Sequence, residues 1–102
     1  MKLVLTSLDD EQKAEEIIDT LLQEKLAACV NLYPCKSRYW WKNKIEKNNE
    51  VVVWIKTKDS LVEEVMERVK QLHPYDTPVI EVINVEKINP STKTWIEEVC
   101  KK

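Results

Sequence analysis

Glycine is absent from this chain of 102 residues, and histidine occurs only once, at His73. A chain without glycine has no glycine-rich loop to hold a phosphate group, which excludes the common nucleotide-binding motifs. Its unfolded state also has less conformational freedom than that of a glycine-containing chain. With 33% charged residues, among which glutamate and lysine dominate, the composition is typical of proteins from hot environments. We therefore expect a thermostable protein.

Long apolar runs are also missing. The longest lie at 26–30 and 51–55, whereas a membrane-spanning helix needs about 20 apolar residues. The chain starts directly on a folded pattern, without a cleavage site for secretion. Its 16 basic and 18 acidic residues nearly balance, and no lysine or arginine block is interleaved with aromatic residues. We expect a cytoplasmic protein that has neither a membrane nor a nucleic acid as a partner.

The three cysteines, Cys29, Cys35 and Cys100, are odd in number and form no C-x-x-C pair. Reduced thiols are the default for such a pattern. Cys29 follows two alanines in an apolar segment and is typical of a small buried hydrophobe. Cys35 stands beside Pro34, where we expect more exposure, and it is the better candidate for a soft metal ligand. Cys100 is expected on one face of the last helix.

Catalytic pairings find no support in the spacing of residues. No Cys–His or Ser–His–Asp arrangement can be defended. An acylphosphatase is the enzyme alternative, and it would need an arginine beside a glycine-rich anion loop. Arg38 and Arg68 are the only arginines, and neither has such a loop. We interpret the chain as a binding protein and not as an enzyme.

The order of elements predicts a ferredoxin-like α+β fold as a single domain over residues 1–102. In that fold a four-stranded antiparallel sheet carries both helices of the βαββαβ unit on one face. The sequence also predicts that the second and third strands form a long hairpin and that an extra helix follows at the C-terminal end. The predicted segments are a strand at 2–7, a helix after Asp9 and Asp10, extended chain at 27–41, a strand at 50–56, a helix from Lys58, a strand at 79–85 and a helix at 91–101.

Three local features are expected within these elements. The first helix should bury an apolar stripe that includes Leu22. The segment 27–41 reads as one long strand with a bulge near Pro34, although two short strands are also allowed. The second helix should begin with a capping box formed by Ser60 and Glu63. It should end at His73, before Pro74.

The long hairpin argues for self-association. A strand over residues 28–41 spans roughly 45 Å, whereas a domain of this size is only about 35 Å across. The overhanging part would expose Tyr39, Trp40, Trp41 and Ile45 together with an open strand edge, which another chain should cover. The alternative is that Pro34 breaks the strand and the two tryptophans fold back into the core. Symmetry allows a dimer or a ring, so the number of copies stays open at this point.

Four blocks of the sequence identify a family resemblance. They are Lys25-Leu26-Ala27-Ala28-Cys29-Val30-Asn31-Leu32, then Ser37-x-Tyr39-x-Trp41 with Lys44-Ile45-Glu46, then Glu50 with Ile55-Lys56-Thr57, and finally His73-Pro74-Tyr75-Asp76-x-Pro78. In order and spacing they resemble the CutA divalent-cation-tolerance family, and Trp95 stands where the family's last helix carries a tryptophan. The resemblance implies a ferredoxin-like fold and a tight homotrimer joined by edge strands. It also implies a role in tolerance of divalent metals, copper in particular.

The resemblance also suggests which residues form sites. Copper-binding relatives use a cysteine in the first strand and two consecutive histidines, and here Leu5 and Leu72 replace two of these three ligands. The metal candidates that we name are His73, Asp76 and Cys35, for copper(II) or another divalent cation, and no cofactor is required. His73 is equally interpretable as a helix cap or a core residue.

The residues expected at a cleft or interface between subunits are Tyr39, Trp41, Glu50, Lys56 and Tyr75. Glu50, Lys56 and Tyr75 are equally interpretable as an ion pair and hydrogen bond that hold the trimer together. The resulting prediction is a trimeric binding protein of divalent-cation tolerance. The alternative is a small-molecule-sensing signalling trimer with ligand clefts between its subunits.

Overall fold

A computed structural model describes residues 1–101 of the chain. Its strands and helices follow the predicted order and number. The strands are β1 (Lys2–Leu8), β2 (Cys29–Trp41), β3 (Lys44–Thr57) and β4 (Ile80–Asn84). The helices are α1 (Glu11–Gln23), α2 (Val62–Leu72) and α3 (Pro90–Val99). The predicted ferredoxin-like α+β fold is confirmed, because the sheet order is β2-β3-β1-β4 and every pairing is antiparallel.

The long second strand is unbroken. Each residue from Cys29 to Trp41 pairs with one residue of β3, down to the pair Trp41 and Lys44, without any shift in register. The predicted bulge at Pro34 is therefore wrong. Because β2 is an edge strand, half of its backbone N–H positions face away from β3, and a proline at such a position interrupts no ladder hydrogen bond.

Helices α1 and α2 pack side by side on one face of the sheet. Asp10 caps α1 as predicted, since its carboxylate accepts a hydrogen bond from the Lys13 N–H at 3.0 Å. The core joins side chains of both helices to those of β1 and β3, among them the fully buried Val4, Ile17, Leu21, Ile55 and Val65. Leu22 is exposed, so the predicted stripe of α1 was one residue too wide.

The predicted capping box of α2 is wrong. A short 3₁₀ turn, Asp59–Leu61, precedes the helix, and no side chain caps it. The Leu61 N–H instead donates to the Lys58 carbonyl oxygen at 3.0 Å. Backbone hydrogen bonds of this turn therefore precede the helix where a Ser60 side-chain cap was expected. The end of α2 is as predicted, with His73 at the C-cap position.

Three residues have a positive φ angle, and none of them is glycine. Lys25, at 56°, ends α1, where the Leu26 N–H reaches back to the Leu21 carbonyl oxygen at 2.9 Å. Lys42 and Asn43, at 49° and 65°, form the two-residue turn between β2 and β3. Positive φ at both central residues is the type I′ geometry that matches the twist of a hairpin. The hairpin predicted at this position is confirmed.

The hairpin projects beyond the body of the domain. The chain measures 45 × 26 × 21 Å along its principal axes. Near the tip Trp40 is 72% exposed and Trp41 is 43% exposed, and Ile45 pairs with Trp40 across the ladder. The alternative in which both tryptophans fold back into the core is thus excluded for the single chain. The hairpin tip of the single chain therefore exposes an apolar surface to water, and such surfaces are typical of interaction sites.

Helix α3 closes one end of the core. Ile96 and Cys100 are buried, and the Lys101 N–H donates to the Lys25 carbonyl oxygen at 2.8 Å, which ties the end of the described chain to the end of α1. Burial raises the pKa of the Cys100 thiol, so this cysteine stays protonated and packs as an apolar residue. Within residues 1–101 no helix has the length and apolar character to cross a membrane.

Candidate functional site

A cleft of about 700 Å³ lies where the hairpin leaves the body of the domain. We call it the hairpin-base cleft. Its walls come from the end of β1, from the hairpin between its middle and its turn, and from the segment between α2 and β4. Five residues that the sequence nominated line it: Tyr39, Trp41, Glu50, Tyr75 and Asp76.

Glu50 and Tyr75 form the inner wall of this cleft. The Tyr75 O–H donates to Glu50 Oε2 at 2.6 Å. Glu50 is only 7% exposed, and none of the ion pairs found in residues 1–101 includes it. Burial, and then the bond to Glu50, raises the pKa of the Tyr75 hydroxyl well above its ordinary value. Tyr75 therefore remains a hydrogen-bond donor to a buried carboxylate that has no cation beside it.

His73 uses both ring nitrogens within the fold. The Tyr75 N–H donates to Nδ1 at 3.1 Å, so the ring proton lies on Nε2, which is 2.9 Å from the Ser7 carbonyl oxygen. The His73 and Tyr75 rings also meet edge to face, with centroids 4.7 Å apart. Burial lowers the pKa of the imidazole, which favours its neutral form. His73 thereby fixes the position of Tyr75 against the end of β1.

The metal candidates do not come together. Among the residues that the structure describes, no group of three or more histidine, cysteine, aspartate or glutamate side chains could hold a metal ion. Cys35 is half-buried, lies opposite Glu50 in the ladder and has its Sγ 3.6 Å from the Ser37 Oγ. Asp76 lines the cleft, and neither ring nitrogen of His73 is free. The described residues therefore contain no preassembled copper site, and His73 could bind a metal ion only by giving up one of its hydrogen bonds.

Lys56 lies apart from the other nominated residues. It is six residues from Glu50 along β3, or about 20 Å at the rise of a strand. It lines a second cavity of about 770 Å³ over the N-terminal part of β1, together with Trp54 and Lys87. We call this the lysine cavity. Within one chain, Lys56 and Glu50 are therefore too far apart to form an ion pair.

Sequence reasoning missed Asp9 and Arg38 as cleft residues. Asp9 was interpreted only as a helix-start residue beside Asp10, which is the actual N-cap. Arg38 was considered only for an anion loop, whereas its Nη1 donates to the Ser37 carbonyl oxygen at 2.9 Å. The signal that could have found both is topological, because β1 ends beside the point where the hairpin begins to project.

The fold and the cleft together place this chain in one class of small α+β proteins. Its members have a ferredoxin-like domain, a hairpin that projects beyond it and a cleft beside that hairpin. Residues 2–99 match the family described as CutA1 divalent ion tolerance protein. The chain belongs to this family. It is 44% identical to the divalent-cation tolerance protein CutA of Pyrococcus horikoshii over 102 residues, which is 100% of both chains.

Solved structures agree with this assignment. The crystal structure of CutA1 from Pyrococcus horikoshii is 43% identical, covers 100% of both chains and superposes with a TM-score of 0.97. The structure of a CutA protein from Archaeoglobus fulgidus, described as a periplasmic divalent cation tolerance protein, is 38% identical with a TM-score of 0.93. It covers 97% of this chain and 98% of its own. The family resemblance stated from the sequence is confirmed.

Proposed function

We propose that this chain acts in tolerance of divalent cations as a homotrimeric binding protein and not as an enzyme. The observation that carries the proposal is the projecting hairpin, whose tip exposes Trp40, Trp41 and Ile45. The sheet also has two open edges, and β4 at one of them exposes Val82 and Ile83. Contact between copies would bury both kinds of surface. The number three comes from the family resemblance.

Native mass spectrometry at micromolar concentration tests this proposal. We expect a single species at three times the chain mass of 12.1 kDa. Dilution to nanomolar concentration measures how tightly the copies hold together. A monomer at micromolar concentration would overturn the proposal, because the hairpin tip would then be exposed in solution.

Copper(II) binding at His73, with Asp76 as an oxygen ligand, is the finer part of the proposal. Imidazole suits copper(II), but Nδ1 must first give up the hydrogen bond from the Tyr75 N–H. Losing one hydrogen bond costs about 1 kcal/mol, so we expect binding about fivefold weaker than that of an unengaged imidazole. Calorimetric titration with copper(II) should show weak binding that His73→Ala abolishes and Asp76→Asn reduces.

The pH dependence gives a second readout of the same site. Protons compete with copper for the imidazole, so the affinity should fall as the pH drops. Because burial lowers the pKa of His73, this fall should occur below the ordinary value of 6.5. Equal copper affinity in the wild type and His73→Ala would assign the binding to other groups. Circular dichroism of each variant confirms that the fold is intact.

A small-molecule-sensing role is the second candidate, and the hairpin-base cleft favours it. Aromatic side chains of Tyr39, Trp41 and Tyr75 surround a buried carboxylate in an open cleft, which is an arrangement typical of ligand sites. This role is tested by thermal-shift screening with a library of small metabolites, each at about 1 mM, because a ligand that binds the folded state raises the melting temperature. A ligand whose stabilising effect is lost in Tyr75→Phe would support it, and failure of every compound would count against it.

A cytoplasmic location is also part of the proposal. The chain keeps Cys29, Cys35 and Cys100 as free thiols, as is usual in a reducing compartment. The Archaeoglobus fulgidus relative is described as periplasmic, so the two proteins would then differ in location. Fractionation of source cells with an antibody against the chain decides this point, and recovery from the periplasmic fraction would refute the cytoplasmic assignment.

A further inference from the structure

The projecting hairpin has two unlike sides. Lys36, Arg38 and Trp40 are exposed along β2, whereas Ser37 and Tyr39 between them are half-buried. Successive side chains of a strand point to opposite sides of the sheet, so the exposure follows the pleat. We call the exposed side the outer hairpin face. Its members are Lys36, Arg38 and Trp40 on β2 and, paired with them on β3, Asn49, Lys47 and Ile45.

Positive charge is concentrated on this part of the chain. Residues 36–47 include one acidic residue, Glu46, and five basic ones, so their net charge is +4, whereas that of the whole chain is −2. Glu46 lies on the half-buried side, opposite Tyr39, so the outer hairpin face carries no carboxylate. A surface of this charge attracts anions. The five basic residues are all exposed, and they are Lys36, Arg38, Lys42, Lys44 and Lys47.

Two of these cations lie beside each other. Arg38 and Lys47 are directly opposite in the ladder, where like charges destabilise a strand pair. Among residues 1–101 no ion pair includes either of them. An anionic partner placed over the outer hairpin face would offset this repulsion.

The end of the outer hairpin face is apolar. Trp40 is 72% exposed and its ladder partner Ile45 is 58% exposed, one pair before the turn. Indole rings favour the boundary between lipid and water, where neighbouring cations contact anionic headgroups. A single-stranded nucleic acid instead needs a groove that follows its backbone and aromatic rings that stack on its bases. A projecting tip with an aliphatic Ile45 offers no such groove, so it fits a bilayer better.

We propose that the outer hairpin face docks on the surface of a lipid bilayer that contains anionic lipids, with Trp40 and Ile45 among the headgroups and the cations against lipid phosphates. The inference goes beyond the proposed function and does not rest on the trimer, because one chain forms the whole face. It departs from the sequence expectation that no membrane is a partner, which was drawn from the lack of a spanning segment. Docking at the surface needs no such segment.

The bilayer and a second copy of the chain contact different sides of the hairpin. Trp41 follows Trp40, so the pleat directs it to the side of the hairpin-base cleft, where contact between subunits is expected. Trp40 borders this cleft as well, whereas Lys36, Ile45 and Lys47 do not line it. A copy that covers Trp41 from the cleft side therefore leaves these three side chains accessible to lipid.

Co-sedimentation with vesicles tests the charge requirement. We expect the intact protein to partition onto phosphatidylcholine vesicles with about 30% phosphatidylglycerol at least tenfold better than onto phosphatidylcholine alone. Lys36→Ala/Lys47→Ala should lower this partitioning at least about tenfold. The control Lys70→Ala/Lys93→Ala removes the same charge from exposed positions of α2 and α3 and should change it less than about twofold. Equal losses in the two double variants, or no preference for the anionic vesicles, would overturn the proposal.

The apolar tip has its own test. Trp40→Ala should lower partitioning at least about fivefold, because less apolar area enters the headgroup region, whereas Trp95→Ala on α3 should leave it unchanged. Lipids with brominated acyl chains should quench tryptophan fluorescence less in Trp40→Phe than in Trp95→Phe. Tighter binding to a single-stranded oligonucleotide than to anionic vesicles would assign the face to nucleic acid and overturn the proposal. Native mass spectrometry of each variant reports the trimer separately, so failure of docking and failure of assembly are distinguishable.

Discussion

Trp41→Ala is expected to weaken the proposed trimer about 30-fold or more, whereas Trp95→Ala should change its dissociation by less than about threefold. Both tryptophan side chains are 43% exposed in the single chain, so either one would lose the same fraction of exposed surface if another copy covered it. They differ in position, because Trp41 lies on the projecting hairpin and Trp95 lies on α3. Sedimentation or native mass spectrometry across a dilution series measures the effect.

The matched exposure makes this comparison informative. A difference between the variants then reports where the interface lies and not how large a side chain was removed. The melting temperature of each variant, measured at a concentration where both are assembled, controls for loss of fold. Equal dissociation of the two variants would place the subunit contact away from the hairpin tip.

The intact protein is expected to melt well above the range of about 45–65 °C that is usual for mesophile domains. With no glycine and four prolines, the unfolded chain gains less conformational entropy than an average chain. Assembly adds stability, because a ligand or copy that binds only the folded state shifts the unfolding equilibrium. Differential scanning calorimetry at two protein concentrations separates the contribution of the chain from that of assembly.

Ion pairing within one chain adds little to this expectation. The best-formed pair joins Arg68 to both carboxylate oxygens of Glu24, and it lowers the pKa of the Glu24 carboxyl. Lys101 and Glu64 form a separate exposed pair. Exposed pairs of this kind contribute little individually. A melting temperature inside the mesophile range, at both concentrations, would show that composition is a poor guide here.

The fold was predictable because the local patterns agree with one another. Apolar residues of α1 recur at helical spacing, Asp10 supplies the cap, and Pro74 follows the end of α2. The local predictions that were wrong, at Ser60 and Pro34, concern places where backbone geometry and not the side chain decides the structure. A 3₁₀ turn held by backbone hydrogen bonds precedes α2, and no side chain caps the helix. Strand β2 continues through Pro34 because half of the backbone N–H positions of an edge strand make no ladder hydrogen bond.

The candidate site was only half predictable for a similar reason. Tyr39, Trp41, Glu50 and Tyr75 were nominated from family motifs, and the structure places all four in one cleft. Their contacts depend on which strand ends meet, which no short pattern encodes. Lys56 was nominated with them but lies in the other cavity. The reason is that six residues of extended strand place it about 20 Å from Glu50.

The unbroken pairing of β2 with β3 also limits how this hairpin can change in length during evolution. Side chains alternate between the two sides of the ladder, so adding or removing one residue per strand moves the turn without disturbing the pairs below it. An unmatched single-residue insertion would turn Tyr39 and Trp41 toward the opposite side. Ladder pairs also alternate between hydrogen-bonded and non-hydrogen-bonded ones, and a two-residue turn closes a hydrogen-bonded pair. Length differences among hairpins that keep this turn should therefore occur in steps of four residues, two for each strand.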